Sequence, residues 1–78
     1  MKAKKYPVID VQKTGKRIKK LCRHKGVSVK EIQEYMNLAC LQTVYNWQAG
    51  KTLPSIDNFI VLSRLLNRSI DSILHVEE

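Results

Sequence analysis

The chain has 78 residues, of which 44% are hydrophobic, and it carries a net charge of +7. Its length suits one domain, its apolar content argues against general disorder, and no apolar run approaches the roughly 20 residues that a membrane-spanning helix needs. Two cysteines are too few to staple a domain of this size, which favours a reducing cytoplasm over secretion.

The positive charge is concentrated at one end of the sequence. Residues 1–26 hold ten Lys or Arg against one acid, giving +9, whereas residues 27–51 are neutral and residues 52–78 carry −2. Such a basic block indicates a polyanionic partner, either nucleic acid or an anionic membrane surface. For residues 2–5, a solvated lysine-rich tail is the alternative. The N-terminus has no apolar stretch behind its lysines, so we expect no secretory signal.

The first elements in chain order are an extended basic arm and a helix. Residues 1–13 lack helical periodicity, and Pro7 favours an extended backbone. Thr14 is the predicted N-cap of helix one, over residues 14–25, which ends at Gly26. Its apolar positions recur at helical spacing: Ile18, Leu21 and Cys22.

Two short helices follow. Ser28 with Glu31 forms a capping-box pattern, which predicts helix two over 29–36. Asn37 tolerates the left-handed conformation that ends a helix, and a turn over 37–40 leads to helix three over 41–49. We expect Val44 and Trp47 to face inward and Gly50 to close helix three.

Ser55 is the predicted N-cap of helix four, over residues 56–66. Ser69 is the predicted N-cap of helix five, over residues 70–76. The predicted inward stripe of helix four is Ile56, Phe59, Leu62 and Leu66. No convincing strand pair is present. The prediction is an all-α fold of five short helices in one domain over residues 14–76, followed by a two-residue tail, 77–78.

No group of side chains predicts catalysis. The three glycines are scattered, and no acid pair or nucleophile–base set stands out. Cys22 and His24 lie two apart and His75 is remote, which does not match a zinc-ligand spacing. We therefore expect a protein that is not an enzyme, with no metal, cofactor or small-molecule ligand.

Helices two and three fit a helix-turn-helix, in which the second helix enters the DNA major groove. Outward residues of helix three are amides and a tyrosine rather than charges. Gln42 and Asn46 suit adenine, since an amide both donates and accepts, and Leu41 suits a thymine methyl group. The alternatives are ordinary surface amides, Tyr45 packed against helix two, and Leu41 closing the helix start.

The run from Thr14 to Leu74 resembles the Cro and lambda-repressor-like helix-turn-helix regulators, also called the xenobiotic-response-element family. The motifs that carry the resemblance are TGKRIKKL, SVKEIQEYM, TVYNWQAGKTLPS, FIVLSRLL and SIDSIL. The most specific part is Val44, Trp47 and Gly50 followed by a Pro-Ser helix start. The resemblance implies a five-helix bacterial or phage regulator, often dimeric on a two-fold related operator.

The resemblance also implies DNA contacts. The base-contacting positions fall on Leu41, Gln42, Tyr45 and Asn46. The phosphate contacts fall on the start of helix two, on helix three and on the loop after it: Ser28, Lys30, Thr43, Gly50, Lys51 and Thr52.

The sequence departs from the family pattern around helix two. The family has Gln at Val29, Ala at Gln33 and Gly at Asn37, and its turn is one residue shorter. Cys40 is therefore either the N-cap in a lengthened turn or an extra residue that decides whether Leu41 or Gln42 reaches the groove first.

The predicted function is a sequence-specific regulator of transcription that binds double-stranded DNA, with repression favoured, in the cytoplasm at the nucleoid. We expect a homodimer through helices four and five. One alternative is a protein-interaction module on the same fold, an antitoxin or anti-regulator, with Val61 and Leu65 as extra apolar surface. A membrane-surface binder is less favoured, because helix one has few strong apolar residues.

Overall fold

The structure of the protein is a computed structural model, which describes residues 7–77. Five helices form its bulk, as predicted, and a two-stranded sheet joins its ends. The elements in chain order are β1 (Val8–Ile9), α1 (Val11–Lys25), α2 (Val29–Met36), α3 (Leu41–Gln48), α4 (Ile56–Leu66), α5 (Ile70–Ile73) and β2 (Val76–Glu77). No helix in this range is both long and apolar enough to cross a membrane.

All five helices contribute to one hydrophobic core. The buried apolar side chains include two from α1, one from α2, two from α3, three from α4 and one from α5. They are Ile18, Cys22, Ile32, Val44, Trp47, Phe59, Leu62, Leu66 and Ile73. The inward positions predicted for α3, Val44 and Trp47, are confirmed. Ile56 is the exception on α4: its side chain is 77% exposed, so its predicted place in the inward stripe was wrong.

Helix α1 begins three residues earlier than predicted. Asp10 is its N-cap, and the Asp10 carboxylate accepts a hydrogen bond of 2.9 Å from the Lys13 backbone N–H. Thr14, predicted as the cap, lies fully buried within the helix. Residues 11–13, which we assigned to the basic arm, therefore form the first turn of α1. The arm lysines at positions 2, 4 and 5 lie outside the described residues.

A strand pair joins the two ends of the described chain, so the expectation of no strand pair was wrong although the fold is mostly helical as predicted. Strands β1 and β2 are antiparallel, with Val8 opposite Glu77 and Ile9 opposite Val76. Helix α5 is correspondingly short, since it ends at Ile73 rather than at residue 76. The tail predicted for residues 77–78 begins inside β2.

The C-terminal segment is fastened to α1 through polar contacts. The His75 backbone N–H donates to the buried Thr14 hydroxyl oxygen at 3.0 Å, and the Asp10 N–H donates to the His75 carbonyl at 2.8 Å. The Arg17 guanidinium donates to the Leu74 carbonyl at 2.9 Å. Thr14 therefore acts as a buried acceptor rather than as a helix cap.

The starts of α2, α4 and α5 and the ends of α1, α2 and α4 follow their predicted caps, whereas α3 ends at Gln48, one residue early, with Ala49 as its C-cap. Ser28 and Glu31 form a complete capping box at α2. Ser55 and Ser69 each accept a hydrogen bond from the third backbone N–H of the helix that they cap. Three helices end in a left-handed residue: Gly26, Asn37 and Asn67.

Candidate nucleic-acid interface

The turn between α2 and α3 is stabilised by the residue that departs from the family pattern. The Gln33 side-chain amide donates to the Leu38 carbonyl at 3.2 Å, and the Leu38 N–H donates to the Gln33 carbonyl at 2.9 Å. The half-buried Gln33 side chain, larger than the alanine of the family pattern, thus bonds across the turn and does not separate α2 from α3. Cys40 is the N-cap of α3, with φ −152° and ψ 160°, so Leu41 is the first helical residue.

Two glycines let α3 and the loop after it lie directly against α1. A Cβ atom on Gly15 would come within 2.8 Å of the Gly50 nitrogen, and a Cβ on Gly50 would come within 2.6 Å of the Gln12 Cα. Gly50 also has φ +76°, which favours glycine. Because these neighbours are backbone atoms, they cannot move aside, and the contact fixes the position of α3 on α1.

The outward face of α3 is uncharged and rich in hydrogen-bonding groups. Tyr45 is 49% exposed and Leu41 38% exposed, and Gln42 is also exposed, whereas Asn46 is half-buried. The Gln42 side-chain amide donates to the Asn46 side-chain oxygen at 3.0 Å. The two amides therefore form one unit, and the Gln42 oxygen and the Asn46 amino group remain free to bind a base edge.

The loop after α3 has its backbone amides occupied by carbonyls of α3. The Gly50 N–H donates to the Trp47 carbonyl at 3.1 Å, and the Lys51 N–H to the Asn46 carbonyl at 2.9 Å. The Thr52 N–H also approaches the Asn46 carbonyl, at 3.4 Å. This loop consequently offers a phosphate its exposed side chains, the Lys51 ammonium and the Thr52 hydroxyl, rather than a nest of free amides.

The start of α2 is similarly satisfied from within. The Ser28 hydroxyl oxygen accepts from the Glu31 N–H at 3.1 Å, and the Ser28 N–H donates to the Glu31 carboxylate at 2.8 Å. The Ser28 backbone N–H, followed by its hydroxyl, lowers the pKa of the Glu31 carboxyl. A carboxylate therefore remains at this helix start and accepts the Ser28 hydroxyl proton, which leaves the exposed Lys30 for an anion.

The start of α3 has no side-chain cap on its backbone amides. The Cys40 thiol instead pairs with the Thr43 hydroxyl at 3.6 Å, and this hydrogen bond lowers the pKa of the exposed thiol. A helix N-terminus without a side-chain cap carries partial positive charge. The half-buried Thr43 and the first turn of α3 thus present donors beside the outward face.

A lysine of α1 completes the surface. Helix one was expected to attract phosphates through its lysines and arginines, but the sequence did not single out Lys19 as the one beside α3. Gln42, Tyr45, Asn46 and Lys51 line one shallow depression together with Lys19, Gln48 and Ala49. Lys19 and Gln48 also line the adjoining depression, which reaches Arg23 and Ser28. Leu41, Lys30, Thr43, Gly50 and Thr52 line neither. The signal for Lys19 was its position one helical turn after Gly15, on the side of α1 that meets α3.

The fold, five helices with a helix-turn-helix formed by α2 and α3, is shared with solved structures of two other proteins. The chain is similar to the restriction-modification controller protein C.AhdI from Aeromonas hydrophila, with 23% identity and a TM-score of 0.73 over 82% of this chain and 96% of that one. It is also similar to the DNA-binding domain of BldD, with 12% identity and a TM-score of 0.70 over 85% of this chain and 94% of that domain. No protein-family model and no curated protein sequence matches the chain.

Proposed function

We propose that the protein is a sequence-specific regulator of transcription that reads the major groove of double-stranded DNA with α3. The observation that carries the proposal is the uncharged outward face of α3 flanked by Lys19 and Lys51. Amide groups discriminate bases, whereas lysines attract phosphates of any sequence. Both neighbouring structures support this function, since one is of a controller protein and the other of a DNA-binding domain.

The base-reading residues in this proposal are Leu41, Gln42, Tyr45 and Asn46. The coupled amides bind an adenine, and the exposed edge of Leu41 contacts a thymine methyl group. Tyr45 supplies a hydroxyl and an apolar ring next to them. Their positions on one 8-residue helix suit the few adjacent base pairs that a recognition helix contacts.

The phosphate-contacting residues lie around this face. Lys19, Lys51, Thr52 and Lys30 contribute exposed side chains, and Thr43 with the first turn of α3 contributes donors at the helix start. Ser28 contributes its hydroxyl once a phosphate replaces the Glu31 carboxylate as the acceptor of its proton. Gly50 acts through the conformation that holds the loop against α1, because its N–H is already donated.

We further propose that two copies pair through α4 and α5, so that two recognition helices meet a two-fold related operator. Ile56 and Ile60 lie one turn apart on α4 and are 77% and 39% exposed, which gives the pair an apolar surface. Binding at an operator of this kind blocks transcription by occupying the site, so repression in the cytoplasm is the favoured outcome. Ile56→Glu would then yield a monomer in sedimentation, with weaker binding to a two-half-site duplex.

The alternative is a protein-interaction module built on the same fold. The exposed isoleucines fit this function as well, since an apolar patch suits any partner surface. The two functions differ in what α3 does. A module that only holds a partner protein would bind duplexes of every sequence equally, through its net charge.

Fluorescence anisotropy with a preferred duplex and a scrambled duplex tests the proposal. Asn46→Ala and Gln42→Ala should each weaken binding to the preferred duplex by roughly 1–3 kcal/mol and leave the scrambled duplex unaffected. The matched control is Lys51→Gln, which should weaken both duplexes alike and lower the salt dependence. Equal loss on both duplexes for all three variants would contradict base reading by α3.

A further inference from the structure

Helix α1 carries more positive charge than the interface with α3 uses. Its fifteen residues include no acid and seven Lys or Arg: Lys13, Lys16, Arg17, Lys19, Lys20, Arg23 and Lys25. Within residues 7–77, Lys13 alone among these seven forms an ion pair, with Glu77 at 3.4 Å. Like charges three and four residues apart destabilise a helix, so this arrangement costs stability unless an anion relieves it.

The surplus charge lines a groove on a different side of α1 from Lys19. One wall is the face of α1 that carries Lys13, Arg17, Lys20 and His24, spaced four, three and four residues apart. The opposite wall is formed by the segment after α4, where Arg68 projects, and by Ser72 of α5. Leu21 lies between the walls.

Three cations along this groove, Arg17, Lys20 and Arg68, meet no carboxylate in the described part of the chain. The Arg17 guanidinium donates to the carbonyls of Ser72 and Leu74 and contacts the His75 ring, so its positive charge meets no carboxylate there. Lys20 and Arg68 form no ion pair with any residue in the range 7–77. The groove therefore presents uncompensated positive charge at Arg17, Lys20 and Arg68, whereas Lys13 at its end is paired with Glu77.

The shape of the charge favours an extended polyanion over a compact ligand. The wall from Lys13 to His24 is about 16 Å long, which matches several successive phosphates of a duplex. Its unpaired cations, Arg17 and Lys20, lie along this wall and face Arg68 rather than converging on one point. A small anion needs convergent, buried polar groups. Every buried side-chain nitrogen and oxygen in the described residues already has a partner.

The lining also favours nucleic acid over an acidic protein. A protein interface centres on buried aromatic or aliphatic anchors. Leu21 and the buried Leu66 are the apolar side chains that line the groove, and no Phe, Trp or Tyr of the described residues lines it. Phosphate backbones, by contrast, are bound by arginine and lysine with little apolar contact.

We propose that this groove, between α1 and the α4–α5 connection, binds the sugar-phosphate backbone of a second segment of double-stranded DNA. Each protomer then holds one segment at α3 and another at the groove, with α1 between them. The second segment is either a separate duplex or the flank of the duplex bound at α3. The surface is distinct from the one that carries the proposed function, so either can fail without the other.

The test uses the full chain, a 12-base-pair duplex of mixed sequence and a 60-base-pair duplex that contains it. At low salt, wild type should bind two short duplexes per protomer in a sedimentation titration, whereas Lys20→Gln with Arg68→Gln should bind one. Each contact adds about 0.9 to the salt slope of log K, so any residual groove binding by this double variant, measured at higher concentration, should have a salt slope lower by about 2. The matched control, Lys19→Gln with Lys51→Gln, removes the same charge and should spare the groove.

The source of the second segment follows from duplex length. Capture of a fluorescent short duplex by an immobilised complex indicates a separate duplex. A tighter complex with the 60-base-pair duplex, lost in the Lys20 and Arg68 variant, indicates the flank. Either result supports the groove, whether or not α3 shows base preference.

Two further measurements show whether a loss of groove binding in the variant is due to misfolding. Relief of like-charge repulsion should leave the melting temperature of the Lys20 and Arg68 variant equal to or above that of wild type. In wild-type protein, excess duplex should protect Lys20 from acetylation as well as Lys19, as read by mass spectrometry. Unchanged stoichiometry and salt slope in the variant, or acetylation of Lys20 that DNA does not slow, would overturn the proposal, as would groove binding to polyglutamate but not to DNA.

Discussion

Gly15 of α1 and Gly50 of the loop after α3 pack backbone to backbone, so that a side chain on either would overlap the other helix or its exit. A Cβ on Gly15 would lie 2.8 Å from the Gly50 nitrogen, well inside van der Waals contact. This contact sets how far α3 stands out from the rest of the fold. Because α3 carries the proposed base-reading face, the two glycines link packing directly to function.

Gly15→Ala should therefore destabilise the protein and displace α3. Overpacking against backbone costs about 1–3 kcal/mol, which exceeds the gain of about 1 kcal/mol in helix propensity. Urea unfolding gives the stability change, and anisotropy with the preferred duplex gives the loss of affinity.

The control for this variant is Gly26→Ala, at the end of α1. Gly26 has φ +78° but open space around its Cβ position, so alanine there costs about 1–2 kcal/mol through backbone strain alone. It should lower stability and leave the DNA affinity of the folded protein unchanged. Equal DNA affinities for the two alanine variants would contradict the role given to the glycine contact.

Thr14 should be required as a hydrogen-bond acceptor. Thr14→Val keeps the shape but leaves the His75 N–H without its partner, which should lower the free energy of unfolding by about 1–3 kcal/mol. Thr14→Ser keeps the hydroxyl and loses one methyl group, for about 1 kcal/mol. Hydrogen exchange of the His75 backbone amide should be faster in the valine variant only. An exchange rate that valine does not change would exclude the hydrogen bond from His75 to Thr14 as the contact that holds β2 against α1.

The strand pair of β1 and β2, which the sequence did not predict, depends on contacts between residues far apart in the chain. Each strand has two residues and its partner lies at the other end of the chain, so no local alternation reveals the pair. The same segment stops α5 early and buries Thr14, whose predicted role as a cap was plausible from residue type alone. Asp10, three residues before Lys13, was the overlooked cap signal.

The helix boundaries near the candidate interface were predictable because their signals are local. Ser28 with Glu31, Asn37 and Ser55 all act within one turn of their own position. The outward positions of Gln42 and Tyr45 can be predicted from helical periodicity once α3 is placed. The position of Lys19 beside α3 cannot be predicted in this way, since it depends on how closely two glycines let the helices approach.

The two thiols should differ in reactivity. Cys40 is exposed, and its hydrogen bond with Thr43 lowers its pKa, whereas Cys22 is buried. Iodoacetamide at pH 8 should label Cys40 in the folded protein and reach Cys22 only after unfolding. If α3 binds DNA, bound duplex should also slow the labelling of Cys40. Faster labelling of Cys22 than Cys40 would contradict the burial of Cys22.

Burial of Cys22 should make stability depend on pH above neutrality. Desolvation raises the pKa of the folded thiol to about 11, against 9.0 for the ordinary thiol, although the Gln48 hydrogen bond opposes the rise. As pH rises above 9, the Cys22 thiol ionises in the unfolded chain before it ionises in the folded protein, which favours unfolding. The stability contributed by the neutral buried thiol is therefore complete below pH 9 and is lost as pH rises towards 11. The loss should reach about 2 kcal/mol.

Cys22→Ala provides the reference for this pH effect, because the two proteins differ in no ionisable group other than the Cys22 thiol. The stability difference between wild type and the variant should shrink as pH rises from 8 to 11 in denaturant unfolding. A difference that stays constant across this range would show that the thiol ionises equally in both states.

The bonded amides of α3 should act as one recognition unit. Gln42→Ala frees the Asn46 side chain, and Asn46→Ala frees that of Gln42, so either variant already disrupts the unit. Their combined effect on DNA affinity should be smaller than the sum by at least about 0.5 kcal/mol. Gln42→Ala with Lys30→Ala, on separate helices, should be additive, and additivity for both pairs would exclude the coupling.

The central claim, that α3 reads DNA sequence, is tested most directly by selection from a random-sequence duplex pool with wild type and Asn46→Ala in parallel. Wild type should enrich a short motif that contains adenine, and if the protein pairs through α4 and α5, two copies should recur one helical turn apart or a multiple of it. Asn46→Ala should lose preference at one base position in each copy. Enrichment of no motif by wild type, or of the same motif by both proteins, would contradict the account.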